Sequence, residues 1–208
     1  MRHLSHAEED VDPDRLARAE RLKAEFLTIR PEPDPRVAPY WAQYQAVFGA
    51  GAGDPQDLKD FANSPVGASL GNMSVFNNAW NDLGPEAAAL AVREAVDHLL
   101  HGSGALDDRL TALIRSRRGM TGFRETLLTK VLCVMYPDRF LTILKYSGSL
   151  GKQGIAHSIY GLALPDLAGD NIGRLVLRSN DLLLTLTGAG FANAQHASSF
   201  LWWARDRN

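Results

Sequence analysis

Six histidines, one cysteine and a run of glycine-flanked bases are where chemistry would have to sit in this 208-residue chain. A helical zinc hydrolase needs two histidines four apart around a glutamate. His3, His6, His98, His101, His157 and His196 supply no such pair. His98 and His101, three apart near a predicted helix end, lack two further donors and read as surface residues suited to a helix C-terminus. Residues 148–153, GSLGKQ, have the outline of a phosphate loop. Tyr146 stands where its first glycine belongs, and Gln153 replaces the metal-holding Ser/Thr. No dinucleotide fingerprint follows a strand either. A nuclease-type carboxylate at Asp138 would need an acid and a lysine two residues apart on a later strand. The only Asp-x-Lys, Asp57-Leu58-Lys59, lies upstream in a predicted helix. Cys133 falls inside an apolar run and reads as a core residue, so no Cys-His or Ser-His-Asp set can be assembled. No catalytic residue, cofactor or metal is expected.

What remains is the turn 117–123, RRGMTGF, between two predicted helices. Helix, glycine-bearing turn, helix is the shape of a helix-hairpin-helix element, in which glycines admit a DNA phosphate to the N–H groups of the second helix. The candidate nucleic-acid-binding residues are Arg117, Arg118 and Arg124 around Gly119 and Gly122, with Arg115, Lys145 and Lys152 extending the patch. The same residues also describe a tight corner whose glycine ends the first helix. Trp202-Trp203 offers a base-stacking pair, but Phe200, Leu201 and Ala204 around it favour core packing of a last helix.

Charge is divided unevenly along the chain. Residues 1–108 carry 9 Lys+Arg against 18 Asp+Glu, whereas residues 109–208 carry 13 against 6. Between 109 and 152 nine bases face only Glu125 and Asp138. Such asymmetry points to a polyanion-binding face, or to an acidic half that packs beside a basic half and neutralises it. The divide suggests an acidic helical subdomain over 1–101 and a basic one over 102–208, or one continuous domain. No apolar stretch approaches the ~20 residues a membrane helix needs. A polar N-terminus shows no signal peptide, and a single cysteine excludes an intrachain disulfide framework. These features predict a cytoplasmic protein with no membrane partner.

The elements that must position these residues are helical. At 45% hydrophobic content the chain can bury a proper core. Its centre is 122–136, GFRETLLTKVLCVMY, where apolar residues cover nearly every side of a predicted helix that Pro137 ends. Asp12-Pro13 and Asp54-Pro55 read as cap and first-turn proline, opening helices over 13–29 and 54–63. Further helices are predicted from Pro35 to about residue 48 and over 72–83, 85–101, 106–117, 147–160, 171–187 and 192–205. Leu16, Leu22, Phe26 and Ile29 are assigned to the inner face of the first. Val75, Phe76, Ala79, Trp80 and Leu83 form that of the 72–83 helix, while Leu90, Val92, Val96, Leu99 and Leu100 form that of the 85–101 helix. On the 106–117 helix Arg109, Arg115 and Arg117 are assigned mostly outward. Residues 140–144, FLTIL, fit a short strand or an irregular apolar crossing. The pattern is all-α: about nine helices with short connections and at most one small strand pair.

Four stretches together resemble the helical N-terminal region found ahead of the motor in McrB-type, modification-dependent restriction NTPases. They are TLLTKVL at 126–132, YPDRFL at 136–141, SNDLL at 179–183 and FLWW at 200–203. With the helical lead-in from Leu58 to Ile114 the resemblance spans about 150 residues. It implies a non-catalytic recognition domain of a restriction or defence system, sensing DNA or another trigger. An NTPase module would lie in a following segment or a partner subunit. The expected function is therefore DNA contact through the basic half. The alternatives are a protein-interaction or oligomerisation adaptor and a helix-hairpin-helix DNA glycosylase relative, which would need a catalytic Asp such as Asp138 facing the turn.

Overall fold

The computed structural model describes residues 11–49, 53–64, 72–116, 119–167 and 171–207. Among them are ten helices and no strand, so the chain is all-α. In order they are α1 (Pro13–Ile29), α2 (Ala38–Gly49), α3 (Pro55–Asn63), α4 (Ser74–Leu83), α5 (Pro85–His101), α6 (Leu106–Arg115), α7 (Glu125–Met135), α8 (Lys152–Tyr160), α9 (Ile172–Thr187) and α10 (Ala194–Arg205). Local chemistry sets their starts. The Asp12 carboxylate accepts from Asp14 N at 2.8 Å ahead of Pro13. Asp54 and Asp57 form a reciprocal capping box on α3.

The chain divides into two compact units, and none of the four junctions between them falls at the 101–102 charge divide. Unit one comprises residues 1–34, 136–170 and 174–208; unit two comprises 35–135 and 171–173. Charge balance reflects surface composition, whereas a compact unit is defined by which apolar faces meet, so the two need not coincide.

In unit two α5 is the shared support, packing against α3, α4, α6 and α7, while α2 lies on α7 and α3. Its buried face, Ala88, Ala89, Val92, Ala95, Val96 and Leu99, is rich in small side chains that let neighbours approach closely. The predicted apolar faces prove too wide. Val75, Leu83 and Leu90 are exposed, and on α1 so are Leu16 and Ile29. The buried positions are Phe76 and Trp80 on α4 and Ala19 and Phe26 on α1. In unit one α10 packs on α8 and α1, and α1 packs on α8. Phe26 sits under the rings of Phe191, His196, Phe200 and Trp203, and burying such a ring contributes about 2–3 kcal/mol.

Several helices start later than predicted: α2 at Ala38 rather than Pro35, α8 at Lys152 rather than 147 and α10 at Ala194 rather than 192. The central helix begins at Glu125 rather than Gly122, because Gly122 has φ +84° and Phe123 N closes a turn onto Met120 O at 3.1 Å. Residues 140–144 are buried but form no strand. Side chains replace part of the missing ladder: Leu141 N donates to Asn180 Oδ1 at 2.9 Å and Thr142 N to Ser198 Oγ at 2.8 Å. Asn180 Nδ2 also donates to Arg139 O at 2.8 Å. A buried crossing with satisfied amides needs no partner strand.

Candidate nucleic-acid interface

The corner between α6 and α7 is built from its buried residues outward. Met120 and Phe123 turn inward. Arg124 reaches back over the turn: its Nη1 donates to Leu113 O at 3.2 Å, and a Cβ added to Gly119 would lie 3.4 Å from that same nitrogen. The Arg124 guanidinium therefore sits at the last turn of α6, where Arg115 is exposed. These two arginines flank one corner. Arg117 and Arg118 lie outside the described residues.

Gly122 has a different task from the one expected. A Cβ there would meet the Phe76 backbone N and Cα at 2.6 Å, on top of the left-handed φ. Its bare face is filled by α4, so the space reserved for a phosphate is taken by helix packing. Glu125 stands in the first turn of α7, adding a negative charge where an anion would approach.

The two basic extensions part company. Lys145 is exposed and belongs to unit one. Lys152 is fully buried, with its ammonium bonded to the Ile143 carbonyl, so it cannot serve as a surface phosphate contact. Its position also explains why the phosphate-loop outline is misleading. Gly151 N donates to Gly148 O, Lys152 N to Lys145 O and Gln153 N to Tyr146 O, at 2.9–3.0 Å. Those amides are used by the chain itself.

Lys130 leaves the basic surface for the same reason. It is 0% exposed in the middle of α7, and its Nζ donates to Phe61 O and Ser64 O at 2.6 Å each and to Ser64 Oγ at 3.0 Å. The ammonium adds to the closure of the C-terminal end of α3, where Ser64 N and Ser64 Oγ also donate to Phe61 O. It also lies 4.8 Å from the centre of the Phe61 ring. Burial pushes Lys130 down to about 7, opposed weakly by Cys133. Beside Ser64, burial pushes the Tyr44 phenol up. Arg109, assigned outward from sequence, instead donates from Nη1 to Gly102 O at 2.7 Å just past α5.

Among the exposed bases outside the predicted set are Arg139 and the i, i+4 pair Arg174 and Arg178 on α9, all three in unit one. The spacing of the α9 pair was visible in the sequence, but no glycine turn drew attention to it. Trp202 and Trp203 are both half-buried. The Arg205 guanidinium lies 5.0 Å from the Trp202 ring centre and that of Arg207 3.9 Å from Trp203, geometry that supports cation–π attraction. Asp138 is exposed in the turn after α7. Among the described residues no group of three or more His, Cys, Asp and Glu could hold a metal, and no helix is long and apolar enough to cross a membrane. No protein-family profile, curated protein or solved structure matches the chain.

Proposed function

We propose that the chain is a non-catalytic recognition domain that contacts the phosphate backbone of DNA at the α6–α7 corner. The observation that carries this reading is the bond from Arg124 to Leu113 O, which brings a second guanidinium to the helix end that bears Arg115. Arg117 and Arg118 adjoin that helix end in sequence, and the second half of the chain holds 13 bases against 6 acids. Clustered cations of this kind release counterions from a duplex, which gives affinity without sequence readout. Gly119 would serve by lying beneath the Arg124 guanidinium, whereas Gly122 and Lys152 have structural tasks. The resemblance to the recognition region of McrB-type restriction NTPases supports a defence role in which a motor module is supplied by another segment or a partner subunit.

The test is an anisotropy titration of a labelled duplex at about 50 and about 200 mM salt, with Arg115, Arg117 and Arg118 changed together to Glu. Expected results are at least tenfold weaker binding and a log–log salt slope flatter by about 0.9 per lost phosphate contact. Affinity and slope that ignore the triple variant would overturn the reading. Equal affinity for unmodified and cytosine-modified duplexes would remove the modification-sensing part and leave the backbone contact standing.

A further inference from the structure

Unit two carries a groove of about 460 Å³ between the C-terminal end of α2, the start of α3 and the second half of α5. Val47, Phe48, Leu58, Val96 and Leu100 give it an apolar lining, and Glu94 and Asp97 stand exposed at its edge. Its one guanidinium, Arg93, is turned to the protein, bonded to the Gly53 carbonyl across the groove wall. On α5 the positions 90, 94, 97 and 101 fall within about 60° of one another at 3.6 residues per turn. Exposed Leu90 therefore continues the same stripe, which runs about 16 Å at 1.5 Å per residue. A small molecule would fill the groove and leave Leu90 in water. A helix of three turns covers both.

The surroundings select the sign of the occupant. Residues 35–108 hold three bases, Arg36, Lys59 and Arg93, against nine acids. Lys59 is bonded to Asn81 Oδ1 at 3.2 Å, and Arg93 is occupied as above. Asp54 and Asp57, in the capping box of α3, flank the groove residues Gly53 and Leu58. An apolar cleft ringed by carboxylates repels nucleic acid and anionic lipid and attracts a cationic amphipathic segment. We infer that this groove docks a basic amphipathic helix from a partner protein, with apolar anchors in the cleft and beside Leu90 and with lysines or arginines facing Glu94 and Asp97. This is the helix-in-groove mode of recognition. It is independent of the DNA-binding corner, which uses other residues.

The experiment titrates the full chain into a labelled synthetic helix carrying leucines at i, i+4 and i+7 and lysines beside them. Two controls have the same composition in scrambled order and glutamates in place of the lysines. The groove is probed with Glu94→Lys/Asp97→Lys, both exposed positions, with the fold checked by circular dichroism. Binding of the lysine helix alone, weakened at least tenfold by the double variant, is the expected result. Equal binding of all three peptides, equal binding by the double variant, or no binding would overturn the inference. So would sedimentation showing that the chain alone forms a dimer which the double variant dissolves, because the occupant would then be a second copy.

Discussion

Lys130→Met keeps the length of the side chain on α7 and removes its ammonium. Three donations to Phe61 O, Ser64 O and Ser64 Oγ disappear. Phe61 O keeps its bonds from Ser64 N and Ser64 Oγ, while the half-buried Ser64 O loses this donor. Each unsatisfied buried acceptor costs about 1–3 kcal/mol, while eliminating a buried charge returns part of it. The net expectation near neutral pH is a loss of about 1–3 kcal/mol. The pH dependence is the sharper quantity. The folded-state pKa of Lys130 is lowered to about 7 from an ordinary 10.5. Between those values the unfolded chain binds more protons than the folded one, so stability climbs as pH rises and is lowest below about 7. From about pH 7.5 to about pH 9.5 the native chain should gain about 2 kcal/mol that the variant does not, and the gap between them should widen. Urea unfolding followed by circular dichroism at both pH values measures this directly. A gap that stays constant or narrows with pH would refute a depressed lysine pKa. A variant as stable as the native chain at both values would refute its role in closing α3.

Other perturbations separate structural from surface roles. Gly122→Ala places a Cβ 2.6 Å from the Phe76 backbone in a left-handed conformation, so unfolding should shift by more than about 2 kcal/mol. DNA affinity per folded molecule should stay unchanged. Asn180→Ala removes the acceptor of Leu141 N and the donor to Arg139 O, for a loss of about 2–3 kcal/mol by urea titration, and Asn180→Asp should recover only the first bond. The Arg115/Arg117/Arg118 reversal should weaken DNA binding while leaving the unfolding free energy from urea titration within about 0.5 kcal/mol of native.

Much of the helical framework could be read directly, because punctuation residues act locally. Asp12-Pro13, Asp54-Pro55 and Pro85 place helix starts at the positions found. Side-chain destinations were less legible. Lysine reads as solvated by type, yet Lys130 sits among Leu127, Leu128, Val131, Leu132 and Val134, all buried. A helix covered on nearly every side must bury its lysine too, so the signal was present in the flanking residues. Lys152 gave no such warning, since its burial depends on the Ile143 carbonyl nine positions earlier meeting the start of α8. Gly122 drew notice as a glycine, but its reason lies in Phe76, 46 residues upstream, which no local pattern reports. The discontinuous unit was invisible for a related reason: charge counts follow the chain, whereas α1 packs on α8 and α10 across more than a hundred residues.

That interleaving has a consequence for biogenesis. Residues 35–135 are nested inside a unit whose own pieces lie before and after them. On a ribosome the nested portion can condense as soon as α7 has emerged, since only residues 171–173 of its cluster are still to come. The leading helix, with Phe26 as its main anchor, must wait for α10 before its binding surface exists. During that interval it is an exposed amphipathic segment, and a nascent chain stalled after α7 would present it to chaperones rather than to its own core.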